Sequence, residues 1–113
     1  MKQVNEQSKL ILEKLWELSK NNNGYFKLDN SVFMPLTIEI IEKSVISLCH
    51  YGELNGDLMR DPEMLFWKDE YGDYFPFYFR NDYVGYEDIS GEVINSKLVI
   101  FNEKVEYVRF EEN

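Results

Sequence analysis

The run Asn21-Asn22-Asn23-Gly24 constrains this chain most, because the hydrophobic pattern changes period across it. Before it, Val4, Ile11, Leu15 and Leu18 recur at helical spacing, widened by Leu12 and Trp16. That spacing predicts one amphipathic helix over residues 3–20 with this stripe in the core, and Lys9 and Glu13, four apart, on its wet side. Asn and Gly accept the left-handed backbone on which helices end, so the helix stops there. Everything beyond favours strands. Tyr25 to Leu28 is a short one, and Leu36 to Ile40 with Ser44 to His50 predicts a hairpin around Glu42-Lys43. Met64 to Lys68 and Tyr74 to Arg80 flank the polar run 69–73 as a second hairpin. Strict alternation there puts Phe75, Phe77 and Phe79 on one buried face and Tyr74, Tyr78 and Arg80 on the other. Pro76 lacks an N–H and predicts an edge strand or a bulge.

Further along, Tyr83 to Tyr86 reads as a short strand and Glu87 to Asn95 as a loop. Leu98 to Phe101 and Lys104 to Phe110 read as a closing hairpin around Asn102-Glu103, its alternation slipping between Tyr107 and Val108. One helix followed by strands predicts an α+β domain spanning residues 1–113. In it, the N-terminal helix packs on a curved, mainly antiparallel sheet of five to seven strands.

Charge restricts the partners. The formal charge is −9, and residues 50–92 hold eleven acids against only Arg60, Lys68 and Arg80, a net of −8. Such a field repels phosphate backbones and disfavours direct nucleic-acid binding, while attracting basic proteins or divalent cations. The same acidity also serves to keep an aromatic-rich domain soluble. A single cysteine, Cys49, forms no internal disulfide and lies in an apolar run as a small buried hydrophobe. The start lacks the apolar core of a signal peptide and no run reaches the ~20 apolar residues of a membrane span, which points to a cytoplasmic, membrane-free protein.

The densest chemistry lies between His50 and Met64, which gather an imidazole and the carboxylates of Glu53, Asp57, Asp61 and Glu63 around the turn-forming pair Asn55-Gly56. If the strands ending at His50 and opening at Glu63 pair across a loop of about a dozen residues, His50, Asp57, Asp61 and Glu63 converge on a cation. One nitrogen and several hard oxygens suit Mn²⁺, Mg²⁺ or Ca²⁺. The spacing matches neither HExxH nor an EF-hand, and one histidine does not make a structural zinc site. The competing reading is structural, with Asp and Asn side chains tying the turn to its own amides and no cofactor bound. A carboxylate pair for acid–base hydrolysis can be drawn from Asp57, Asp61, Glu63 and Asp82, as from any acidic domain, whereas nucleophilic catalysis finds no purchase. Cys49 and His50, neighbours on a strand, point to opposite faces and make no nucleophile–base pair.

A binding role uses the same region. Trp67, Tyr71, Tyr74 and Tyr78 interleave with Asp69, Glu70, Asp73 and Asp82, and rings beside carboxylates clamp Lys or Arg side chains. The face carrying Tyr74 and Tyr78 is then a contact surface, or is covered by a second layer or a second copy in a homodimer.

The segment His50-Tyr51, Glu53, Asn55-Gly56-Asp57, Met59, Asp61-Pro62-Glu63-Met64 resembles the motif of an uncharacterised family of small bacterial domains. Phe33-Met34-Pro35-Leu36, Glu39, Pro76 and Asn81-Asp82-Tyr83-Val84-Gly85-Tyr86 also look like that family's pattern. The similarity spans roughly residues 25–90, and Leu54 departs from it by standing where Gln is common. The family is met on plasmids, integrative elements and phages. The resemblance implies an accessory protein of a mobile element, of a kind that interferes with host defence by occupying a basic channel in a nuclease or CRISPR effector. The expectation carried forward is a non-enzymatic acidic binding protein. A metal module or metal-dependent hydrolase at His50, and a purely structural motif, are the alternatives.

Overall fold

A computed structural model describes residues 2–29 and 35–108, with side chains described through Phe101. Phe33-Met34, and the end of the expected last strand at Arg109-Phe110, lie outside the described residues. One helix, α1 (Glu6–Lys20), precedes seven strands: β1 (Tyr25–Leu28), β2 (Leu36–Ile41), β3 (Val45–Leu54), β4 (Asp57–Lys68), β5 (Tyr74–Asn81), β6 (Tyr86–Ile94) and β7 (Lys97–Val108). They form one antiparallel sheet in sequence order, so the chain is an α+β meander under a single helix. Among the described residues no helix is long and apolar enough to cross a membrane.

The helix starts where capping chemistry permits. Asn5 is extended and its side chain accepts from the Ser8 amide at 2.8 Å, satisfying one of the free N–H groups of the first turn. The start therefore falls at Glu6, later than the hydrophobic pattern suggests. The buried positions are Leu12, Leu15 and Ser19, whereas Ile11 and Leu18 stay 55% and 39% exposed. The expected stripe is rotated because polar anchors set the helix's roll. Lys9 meets Asp73 at 3.1 Å, and Glu13 takes the Tyr74 hydroxyl at 2.5 Å and Lys68 at 3.2 Å. Lys9 and Glu13, expected on the wet side, thus face the β4–β5 turn. Lys68 also lies 4.5 Å over the Trp16 ring, a cation–π contact.

Leu12 and Leu15 pack with Ile38, Ile46, Phe66 and Tyr74, and this cluster is the main core. At 25 cal/mol per Å², burying a Leu or Ile side chain stabilises by about 1.5–3 kcal/mol. These few residues therefore outweigh the surface ion pairs, worth about 0–1 kcal/mol each.

Three corrections concern the strands. First, the stretch between His50 and Glu63 is a ladder, not a loop. Asn55 (φ 54°) and Gly56 (φ 87°) make a two-residue turn with both backbones left-handed, whose twist matches paired strands. Pairing therefore runs from Leu54↔Asp57 back to Val45↔Trp67. It is broken once, where His50 opposes both Asp61 and Pro62. Second, a bulge at Phe77 splits the expected phenylalanine face. Phe75 pairs with Trp67 and Phe79 with Met64, three positions apart on β4, so the two rings lie on opposite faces. The same slip separates Tyr74 from Tyr78 and Arg80. Pro76 sits at this bulge in an interior strand, and β6 pairs with β5 only from Tyr78 onward, so the missing N–H breaks no ladder. Third, residues 86–94 are a full strand between β5 and β7, and β7 runs unbroken through Asn102-Glu103 with a register shift against Ile89/Gly91. Polar residues hid these strands, since neighbouring strands rather than local propensity hold them.

The sheet curls. Trp67 Nε1 donates to the Ser96 carbonyl at 3.0 Å, which brings the β6–β7 turn back onto β4. One face of the sheet is thus covered by the helix, and the other folds in on itself.

Candidate functional site

Two stretches that carry the motif pattern, 50–64 and 81–86, dock on each other, and that junction is the candidate site. The bulge at Asp61-Pro62 lets the far half of the β3–β4 hairpin leave the β5 ladder, freeing the Arg60 backbone. Asp82 takes up both of its groups: Arg60 N–H donates to Asp82 Oδ2 at 2.8 Å, and Asp82 N–H donates to the Arg60 carbonyl at 2.8 Å. Asn81 Nδ2 donates to Asp61 Oδ1 at 3.1 Å, while Asn81 Oδ1 accepts from the Tyr83 amide at 3.0 Å, a local turn of the kind Asn favours. Tyr83 then lies across Gly52, its hydroxyl 3.4 Å from the Glu53 carbonyl. A methyl group on Gly52 would overlap that hydroxyl and lie 3.2 Å from the ring's Cζ, so the close approach needs glycine.

On the face away from the helix, the same strands carry a connected polar row. Ser47 Oγ donates to Glu63 Oε2 at 3.3 Å, and Arg60 Nε stands 3.5 Å from Glu63 Oε1. Glu63 opposes Arg80, whose Nε donates to Asp82 Oδ1 at 2.7 Å, and the Tyr78 hydroxyl donates to Glu87. Burial pushes Asp82 up, but the Arg60 amide and the Arg80 guanidinium outweigh it and hold the carboxyl below its ordinary value. Burial raises the Tyr78 and Tyr51 hydroxyls, and it pushes the Cys49 thiol up to about 11. A thiol in that state is a poor nucleophile. The row therefore acts as a lock for the ribbon, every member holding another.

The four residues expected to converge on a cation are dispersed. His50 uses Nδ1–H on the Pro35 carbonyl at 3.0 Å, on the face opposite Glu63. Asp57 and Glu63 lie at positions 57 and 63 of one strand, which at ~3.3 Å per residue puts them roughly 20 Å apart. A Ca²⁺ or Mg²⁺ shell needs oxygens within ~2.0–2.6 Å of the ion. Asp61 serves Asn81 and Glu63 serves Ser47 and Arg60. Among the described residues no group of three or more His, Cys, Asp or Glu side chains is placed to hold a metal ion.

The aromatic–acidic set expected to clamp a partner is largely used internally. Asp69 Oδ1 accepts the Tyr71 and Asp73 amides at 2.9 Å each, shaping the β4–β5 turn. Asp73 holds Lys9, Tyr74 is fully buried, Tyr78 holds Glu87, and Trp67 packs on Phe75 with centroids 5.5 Å apart. Asp82 is committed to the lock. Only Glu70, beside Lys97 at 3.6 Å, and Tyr71 are left exposed from that set.

Exposed apolar side chains also stand at the ribbon tip, where sequence reasoning had not placed them. Leu54, Leu58, Tyr83 and Val84 are 46%, 70%, 41% and 61% exposed; Leu54 and its partner Asp57 share the ribbon face that Tyr83 crosses at Gly52, while Leu58 and its partner Glu53 occupy the other face. Leu54 and Leu58 flank the Asn-Gly turn, and an apolar residue on either side of so polar a turn was the overlooked signal. Nothing local in the sequence reveals that Tyr83 crosses this ribbon at Gly52.

Two comparisons with known proteins give nothing: no curated protein and no solved structure matches. The model of one protein family does match, described as a domain of unknown function, DUF6908, over residues 6–111.

Proposed function

We propose that this chain, which belongs to the DUF6908 family of domains of unknown function, is a non-enzymatic binding protein that presents the tip of its β3–β4 ribbon to a basic protein surface. The observation that carries this reading is the tip itself, where each face of the ribbon pairs an exposed leucine with an exposed carboxylate, Leu54 with Asp57 and Leu58 with Glu53, on a ribbon held at its base by Asn81 and Asp82. A rigid apolar anchor with an acidic rim suits a partner whose own apolar patch is rimmed by Lys and Arg. Charge supports it. Residues 50–92 keep a net of −8 after their three bases are counted, and those bases are held in ion pairs, Arg60 with Glu63, Lys68 with Glu13 and Arg80 with Asp82. The finer reading is that of a bacterial mobile-element accessory protein that inhibits host defence, filling a basic nuclease or CRISPR-effector channel with carboxylates in place of phosphates. It rests on the resemblance of the 50–64 motif and on the same charge excess.

The test is affinity capture from bacterial lysate at low salt, comparing the wild type with a Glu53→Gln, Asp57→Asn, Leu58→Ser variant and identifying what is retained. Basic proteins held by the wild type should be lost from the variant and released as salt rises, because exposed charges are screened within a Debye length of ~8–10 Å. Retention of the same proteins by both forms, or binding indifferent to salt, overturns the proposal.

A further inference from the structure

On the face away from the helix, β1 to β4 leave an open groove of about 390 Å³, lined by Tyr25, Lys27, Thr37, Glu39, Tyr51 and Leu58. Leu58 belongs to the ribbon tip as well, so the groove opens directly beside the proposed contact surface. Its two ends differ. At one, Tyr25 stands opposite Glu39 in the β1–β2 ladder, and cross-strand partners hold their side chains ~4.5–5.5 Å apart. An exposed ring and an exposed carboxylate thus lie side by side. At the other, Tyr51 and Leu58 form an apolar wall against the tip, and Glu53, opposite Leu58, adds a second carboxylate on the same face. Lys27, one pleat from Tyr25 and opposite Thr37, is the single base in the lining. Among the described residues Glu39 forms no ion pair, so its charge is uncommitted.

We infer that this groove receives an arginine side chain of the basic partner, its guanidinium between the Tyr25 ring and the Glu39 carboxylate and its methylene stem along Tyr51 and Leu58. The inference rests on the proposed binding to a basic protein and names the side chain that enters. Charge complementarity carries it: the lining balances Glu39 against Lys27, Arg60 beside Tyr51 is held by Glu63, and Glu53 opposite Leu58 at the edge adds a carboxylate, within a chain of net charge −9. Arginine fits better than lysine because its flat, weakly hydrated guanidinium stacks on an aromatic face while its N–H fork meets a carboxylate.

The probe is N-acetyl-arginine methylamide, titrated into ¹⁵N-labelled full-length protein at low salt. Saturable amide shifts should gather at Lys27, Thr37, Tyr51 and Leu58. Glu39→Gln and Tyr25→Ala, each checked by spectral dispersion to be folded, should weaken binding about tenfold, equivalent to ~1.4 kcal/mol. N-acetyl-glutamate methylamide should produce no saturable shift. Three results overturn the inference: no saturation with the arginine probe, equal affinity in Glu39→Gln, or equal binding of the glutamate probe. A Leu54→Ser, Val84→Ser variant keeps the two readings apart. It should lose partner capture and retain the arginine probe, so a failure of the probe with capture intact removes the groove alone.

Discussion

Adding one methyl group at Gly52 should reverse its effect on stability according to what stands at position 83. The Gly52 backbone is not in the left-handed region, so alanine meets no conformational penalty there, and the Tyr83 ring is the obstacle. In the wild type, Gly52→Ala forces Tyr83 off the ribbon, breaking its 3.4 Å contact with the Glu53 carbonyl and uncovering the strand beneath. Overpacking of this kind costs about 1–3 kcal/mol. Once Tyr83 is replaced by alanine the space is open, and Gly→Ala in a strand then stabilises by about 0.5–1 kcal/mol by restricting the unfolded chain. The expected coupling in a double-mutant cycle is therefore about 1.5–4 kcal/mol, in or above the upper range for residues in contact. For a domain of this size 1 kcal/mol shifts Tm by roughly 4 °C, so Gly52→Ala alone should lower Tm by about 4–12 °C. Urea denaturation followed by the fluorescence of Trp16 and Trp67 measures all four corners of the cycle. Equal destabilisation in both backgrounds, or no effect in either, refutes the docking of the 81–86 turn onto the ribbon as the reason for glycine at this position.

Three further outcomes are expected. Asp82 is held below its ordinary pKa, so its contribution is complete above about pH 4 and is lost as pH falls through the depressed value. The protection factor of the Arg60 amide should fall over that acid window, and Asp82→Asn should abolish that fall at a cost of about 1–2 kcal/mol at neutral pH. Leu12→Ala should cost about 2–5 kcal/mol while Ile11→Gln stays within ~0.5 kcal/mol, and comparable losses at both positions would contradict the helix's observed roll. Millimolar Mn²⁺, Mg²⁺ or Ca²⁺ should move Tm by less than about 1 °C, since a cation bound to the native state raises stability by mass action. A clear rise would call for a ligand set other than the dispersed His50, Asp57, Asp61 and Glu63.

Local chemistry made part of this legible in advance. The change of period at Gly24 separates helix from strands, and Asn55-Gly56 specifies a tight reversal, because both depend on backbone preferences carried within a few residues. The α+β class, the antiparallel pairing and the Pro76 bulge follow from the same kind of reasoning. Residues 86–94 did not read as a strand, because Glu87, Asp88, Ser90 and Gly91 have weak strand preference and are held by β5 and β7. The helix's buried face was legible in Val4, Leu12, Leu15 and Trp16 but not in Ile11 and Leu18. Those two turn outward because Lys9 and Glu13, polar on paper, are fastened to Asp73, Lys68 and Tyr74, more than fifty positions away. The site divides along the same line. Sequence alone determined which groups the motif contains, its turn and its acidity. Only the tertiary structure decided that His50, Asp57 and Glu63 stand apart, that Asp82 closes onto Arg60, and that Tyr83 crosses the ribbon at Gly52 beneath an exposed tip carrying Leu54 and Leu58 on its two faces. Those outcomes depend on strand register and on one bulge, and a single-residue slip turns every following side chain to the other face of the sheet.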